Sequence, residues 1–230
     1  MTQIYAVGDI HGRDHLLKRI HNWIAIDPYR VSNDKPTVIH LGDYIDGGPD
    51  SHLVIDRIMT RRKEFDTIAL LGNHEDMMLA CLETDDRDVW WNWISNGGDR
   101  TLEALGVSFR FGGYDPRALR DALGAKRIEW LKSLPLYHIS PPYLFVHAGI
   151  VPSVPLAEQK RKDMLWIRSR FLDSEADHGF VVVHGHTQTE KPEVKPNRIC
   201  IDTGAARPKT LTAVALKPNG DPRFLQVSEL

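Results

Sequence analysis

Five short stretches set acidic, amide and imidazole side chains beside glycine: "GDIHG" (8–12), "GDYID" (42–46), "GNHE" (72–75), "HAGI" (147–150) and "HGHT" (184–187). They offer Asp9, His11, Asp43, Asp46, Asn73, His74, Glu75, His147, His184 and His186 as candidate donors. Carboxylate, amide oxygen and imidazole together suit a borderline divalent ion such as manganese, iron or zinc, whereas an oxygen-only set would suit magnesium or calcium. The set is too large for one tetrahedral site. Two ions about 3.5–4 Å apart, sharing a bridging carboxylate, would use it, and such a pair polarises a phosphoryl oxygen and generates hydroxide from water. Phosphoester hydrolysis is the chemistry these residues predict.

Each motif follows a short apolar run that reads as a buried strand: "IYAV" (4–7), "TVIHL" (37–41), "TIALL" (67–71), "YLFV" (143–146) and "FVVV" (180–183). Donors at the carboxyl ends of strands in one sheet converge in space, and the adjacent glycines let the chain turn away sharply. Leu16, Leu17, Ile20, Trp23 and Ile24 lie on one face of a first helix. Asp50 and Ser51 can cap a second helix carrying Leu53, Val54, Ile55, Ile58 and Met59. From Glu75 to about Leu134 the pattern is mostly helical, broken at "SNGGDR" (95–100) and "RFGGYDP" (110–116). "RICI" (198–201), "TLTAVAL" (210–216) and "RFLQV" (223–227) add strands to the second half. The expected fold class is α/β, a sandwich of two sheets flanked by helices, in place of an all-parallel doubly wound sheet.

The 230 residues fit one domain, 1–230, with a helical insertion at about 76–135. A formal charge of −2 provides no field that would draw nucleic acid or an anionic membrane. Cys81 and Cys200 are far apart with no CxxC spacing, no secretory layout stands at the amino terminus, and no apolar run approaches the roughly 20 residues of a membrane span. The expectation is a cytoplasmic protein with reduced thiols and no nucleic-acid or membrane partner.

In this order the five motifs, together with "DMLWIRSRF" (163–171) and "IDTGAARPKTLTAVAL" (201–216), resemble the PPP-type metallophosphoesterases. The likeness is to their bacterial branch of small serine/threonine or tyrosine protein phosphatases, which is related to the symmetrical diadenosine tetraphosphate hydrolases. It implies a calcineurin-like metallophosphoesterase β-sandwich with two divalent ions, manganese first and iron or zinc as alternatives. By the same resemblance Asp9, His11 and a bridging Asp43 hold one ion, and Asp43, Asn73, His147 and His186 hold the other. His74 then protonates the leaving oxygen, Asp46 orients His74, and Arg168 contacts the phosphate. Asn96 and Arg100 are further candidates, at the rim of the substrate cleft.

The implied activity is a phosphomonoester hydrolase acting on phosphorylated protein or peptide by direct attack, without a phosphoenzyme. A symmetrical bis(5'-nucleosyl)-tetraphosphatase is the alternative, followed by a metal-bearing protein that binds phosphate without turnover. Gly47 motivates the last, because the related proteins carry an arginine there. His184 is open between ligation and packing. Trp90, Trp91 and Trp93 could stack on a ring, although packing within a helix explains them equally.

Overall fold

The computed structural model describes residues 2–30, 34–108, 115–217 and 220–229. Ten strands form two five-stranded sheets among these residues. The first sheet has the order β10 (Arg223–Ser228), β9 (Thr210–Leu216), β1 (Ile4–Val7), β2 (Thr37–His40), β3 (Asp66–Ala69). The second runs β4 (Tyr137–Ser140), β5 (Tyr143–Val146), β6 (Val181–His184), β8 (Arg198–Cys200), β7 (Glu193–Lys195). Parallel pairing joins β1, β2 and β3 in one sheet and β5, β6 and β8 in the other, while β9, β10, β4 and β7 pair antiparallel at the flanks. The expected sandwich of two sheets flanked by helices is the observed architecture.

The central strands read as unbroken apolar runs because both of their faces are buried. Ala6 and Ile39 meet Phe145, Val183 and Ile199 between the sheets, while Tyr5, Val7 and Val38 on the opposite face pack under helices. Those helices are α1 (Asp14–Ile26), α2 (Ser51–Met59), α3 (Asn73–Cys81), α4 (Arg87–Trp93), α5 (Asp99–Ala104), α6 (Pro116–Leu123) and α7 (Ala125–Lys132). Leu144, Val146 and Val182 on the outer face of the second sheet are covered by Met164 of α8 (Arg161–Trp166) and Phe171 of α9 (Ser169–Leu172).

Two edge strands, β4 and β7, were not among the expected elements. Their residues are all partly or fully exposed, so neither leaves an apolar run to detect. Asp50 occupies the cap position of α2 but makes no side-chain capping bond. The expected break at 95–100 is present as a π-turn over Ile94–Gly98, where Asn96 and Gly97 leave helical geometry. The second break lies mostly outside the described residues, although Asp115 does cap α6 by accepting from the Arg117 and Ala118 N–H groups, with Pro116 in the first turn.

Candidate metal centre

The parallel strands of both sheets end at one place. Asp9 and His11 follow β1, Asp43 and Asp46 follow β2, Asn73 and His74 open α3 after β3, His147 follows β5, and His186 follows β6. His11, Asp43, Asp46 and His186 all have positive φ, of 47°, 53°, 71° and 63°. Backbone held in this sparsely populated region costs on the order of 1–3 kcal/mol per residue and gathers where function fixes geometry. Gly185 has a separate reason for its identity, since a Cβ there would overlap the Asp9 carboxylate.

Asp43 is the hub. Its Oδ1 lies 3.4 Å from His147 Nε2, and its Oδ2 lies 3.7 Å from His74 Nε2 and 3.9 Å from His11 Nε2. Potential ligand atoms of His11, Asp43 and His74 form one group within 4.8 Å, and those of Asp43, His147 and His186 form a second. Asn73 Oδ1 belongs with the second group, 2.7 Å from His147 Nε2 and 2.9 Å from His186 Nδ1. Asp9 accepts the His186 N–H at 2.9 Å through Oδ2, while its buried Oδ1 has no hydrogen-bond partner among the described residues.

Proton inventory shows that these residues fit cations. His147 Nδ1 lies 3.0 Å from the Leu41 carbonyl, which can only accept, so Nδ1 carries the proton and Nε2 presents a lone pair. That lone pair points at the Asn73 and Asp43 oxygens, and burial pushes the His147 pKa down, which opposes an imidazolium that would relieve the clash. His11 is likewise set by the Ile45 carbonyl, 3.1 Å from Nδ1, leaving Nε2 free toward Asp43. Burial, followed by the Asp202 and Asp43 charges, raises the Asp9 pKa well above the carboxylate range. Buried lone pairs facing oxygens, and carboxylates whose burial and mutual repulsion oppose ionisation, are what divalent ions stabilise.

His74 faces both ways. Its Nδ1 is 2.7 Å from Asp46 Oδ2, and its ring meets the His11 ring edge-on at 4.9 Å. Burial works against its charge, but Asp43 and Asp46 outweigh burial and bring its pKa up to about 9. Its ligand atom also falls in the His11–Asp43 group, so metal coordination and proton donation are both within its reach.

Other expected residues lie further out. Arg168 is exposed beside the centre, donating to Thr187 Oγ1 at 3.3 Å, and its charge acts on His186. Arg100 pairs with Glu103 at 2.9 Å on an exposed face, and the Asn96 amide donates to the Asn92 carbonyl at 2.7 Å, so both are engaged locally. His184 is buried against the Phe171 ring with Nδ1 near the Gly185 carbonyl. Trp90 and Trp93 are buried and Trp91 is exposed.

Three residues near the centre carry roles that motif reading missed. Glu75 accepts four backbone N–H bonds, from Gly72, Asp43, Tyr44 and Ile45, and so ties the start of α3 to the loop after β2. Asp202, buried just beyond β8, caps the Gly204 N–H at 3.0 Å and faces His11 and Asp43 electrostatically. A polar residue directly after a buried strand was the available signal for it. Trp93 donates its indole N–H to Asp46 Oδ2 at 2.9 Å, which no periodicity in the sequence reveals.

Comparison with known proteins agrees with this geometry. The family model described as calcineurin-like phosphoesterase matches residues 2–215. Serine/threonine-protein phosphatase 1 of Salmonella typhimurium is 28% identical over 93% of this chain and 92% of its own. The asymmetrical bis(5'-nucleosyl)-tetraphosphatase PrpE of Oceanobacillus iheyensis is 25% identical over 92% of this chain and 87% of its own. A crystal structure of a mutant cold-active protein tyrosine phosphatase shares the fold at a TM-score of 0.63 and 18% identity, covering 98% of this chain and 81% of that one. With two sheets delivering buried oxygen and nitrogen donors to a common end, and a family match across nearly the whole length, this chain belongs to the calcineurin-like phosphoesterase family, whose members are metal-dependent phosphoesterases.

Proposed function

We propose that the chain is a phosphomonoester hydrolase acting on phosphorylated protein or peptide. Asp9, His11 and Asp43 would hold one divalent ion, and Asp43, Asn73, His147 and His186 the other, with manganese favoured by the mixed donors and iron or zinc as alternatives. When bound, such a pair supplies Lewis acidity at a phosphoryl oxygen and an activated water.

The side chains do the rest. As the bond from phosphorus to the leaving oxygen breaks, that oxygen keeps the electron pair and takes the proton from His74 Nε2. Asp46 holds Nδ1–H at 2.7 Å and stays available to favour the imidazolium when Asp43 is engaged by metal. Arg168 supplies one guanidinium for the phosphate. At Gly47 a Cβ would lie 3.1 Å from Ala206 Cβ and 3.7 Å from His11 Cβ, so the turn carrying Arg207 borders the mouth of the site. Arg207 is exposed and makes no ion pair among the described residues, so its guanidinium would be free to take the part that Gly47 lacks.

The observation that carries a peptide over a nucleotide is the fate of the tryptophan cluster. Trp90 and Trp93 are spent on packing and on Asp46, so neither forms a shelf for a base, and of the three only Trp91 is exposed. One feature favours the second reading, a dinucleoside polyphosphate hydrolase: the half-buried Trp166 ring lies edge-on to His186 at 5.8 Å and could stack on a nucleobase. Manganese-loaded protein assayed on a phosphoserine peptide, a phosphotyrosine peptide and diadenosine tetraphosphate separates the two. Fastest turnover of a peptide is expected; preferential cleavage of the dinucleotide selects the second reading, and no rate above an Asp43→Asn control leaves phosphate binding alone.

A further inference from the structure

Asp46 is fully buried, and its carboxylate is shared among three donors. Oδ2 takes His74 Nδ1–H at 2.7 Å and Trp93 Nε1–H at 2.9 Å, while Oδ1 takes the Thr101 hydroxyl at 2.6 Å. Thr101 has one proton and spends it on Asp46. The Ser51 hydroxyl, 2.9 Å from Thr101 Oγ1, must therefore be the donor of that pair, and the Asp46 N–H closes the ring by donating to Thr101 Oγ1 at 3.0 Å and Ser51 Oγ at 3.2 Å.

Trp93 and Thr101 are eight positions apart, a separation that an α-helix rising about 1.5 Å per residue would stretch to about 12 Å. They reach the same carboxylate because the chain kinks between them, at Asn96 and Gly97. Small residues hold the kink against the loop. A Cβ at Gly98 would lie 2.6 Å from the Trp93 ring, and one at Gly97, where φ is +99°, would lie 3.2 Å from the Gly47 nitrogen. The Gly47 N–H in turn donates to the Gly97 carbonyl at 3.4 Å.

We propose that Trp93 and Thr101 are positioning residues that act through Asp46 to fix the His74 imidazole with Nδ1 protonated and Nε2 turned toward the metal pocket, making segment 87–104 part of the catalytic apparatus. The tautomer and aim of a histidine follow from the partner of its other nitrogen. Here that partner is itself immobilised by two donors from outside both sheets. The inference rests on the reading of His74 as the proton donor.

Leaving-group dependence separates positioning from mere support. An acidic leaving group such as p-nitrophenolate departs without a proton, whereas the alkoxide of a phosphoserine peptide needs one. Trp93→Phe and Thr101→Val should each lower kcat on the phosphoserine peptide by about tenfold, part of the roughly 100-fold or more that general acid catalysis supplies. KM, manganese content and the rate on p-nitrophenyl phosphate should stay within twofold, and Thr101→Ser should restore the lost rate. Equal losses on both substrates, or no loss, would overturn the proposal.

His74→Asn serves as the reference. If it shows no preference for the acidic leaving group, the proton-donor reading fails and takes this inference with it. If it discriminates while Trp93→Phe and Thr101→Val do not, the inference alone fails. In nitrogen-labelled protein the Trp93 indole proton, assigned by its loss in Trp93→Phe, should shift in His74→Asn because the two donate to one oxygen. An unmoved resonance would overturn the shared network even if the other variants fold poorly.

Discussion

Single residues decide where charge sits at the mouth of this site. The pocket floor is rich in buried carboxylates, Asp9, Asp43 and Asp202, which metal ions would offset, so an incoming phosphate dianion needs cations of its own at the rim. Arg168 and Arg207 are the two offered by the proposed arrangement, one held lightly by Thr187 and one without an ion pair among the described residues. Arg13, by contrast, is committed to Glu229 at 3.1 Å. A charged hydrogen bond lost from a binding site is worth about 1.5–3 kcal/mol. Arg168→Ala and Arg207→Ala should therefore each raise KM for a phosphopeptide by about tenfold or more while leaving bound manganese unchanged. Steady-state kinetics beside metal analysis tests this, and an unaltered KM removes that arginine from the site.

At the scale of elements, Glu75 shows how α3 and the loop after β2 are locked together. Oε2 accepts from Asp43 and Gly72 at 2.9 and 3.1 Å, and Oε1 from Tyr44 and Ile45 at 2.8 and 3.2 Å. Burial and the Asp43 charge raise its pKa, but all four neighbouring backbone groups can only donate, so they favour the anion. Glu75→Gln turns one acceptor into a donor and sets two backbone N–H groups against an NH₂. Each buried donor left unpaired costs about 1–3 kcal/mol, so urea unfolding should show a loss of at least that size; a change below about 0.5 kcal/mol would mean that the loop repacks at no cost. None of this clamp is visible in the sequence, where Glu75 is one more acidic residue in a metal motif. The strands β1, β2, β5, β6 and β9 were legible because burial on both faces leaves an apolar run. β4 and β7 were not, being half-exposed edges. Likewise Asp43 and His147 could be found from their position after such runs, whereas Trp93 and Thr101 reach Asp46 through a kink whose direction depends on packing against Gly47.

Across the whole molecule, buried histidines away from the metal centre couple stability to pH. His21 on α1 and His40 at the end of β2 face each other, Nε2 to Nε2, at 2.9 Å, and His21 also packs edge-on against Phe65. One proton serves both nitrogens, so the pair is neutral. Burial lowers the His21 pKa to about 2, helped by the His40, Arg62 and Arg57 charges, and burial lowers His40 to about 4. In the unfolded chain both titrate near 6.5, so below that pH the unfolded state binds more protons and stability falls as pH falls. The stabilisation is complete above about pH 6.5 and is lost progressively as pH falls, toward pH 4 for His40 and on toward pH 2 for His21. Each histidine should account for about 2 kcal/mol between pH 6.5 and 5, at 1.36 kcal/mol per pH unit. Buried carboxylates with raised pKa, such as Glu75 and Asp202, also change protonation on acidification, which makes the difference between wild type and His21→Gln the informative quantity. Glutamine can still donate to His40 but cannot take up a proton, so the variant should lose stability less steeply by about 2 kcal/mol across that interval. Chemical unfolding of both proteins at several pH values measures it, and parallel curves would show that the His21–His40 pair does not set the acid limit of this fold.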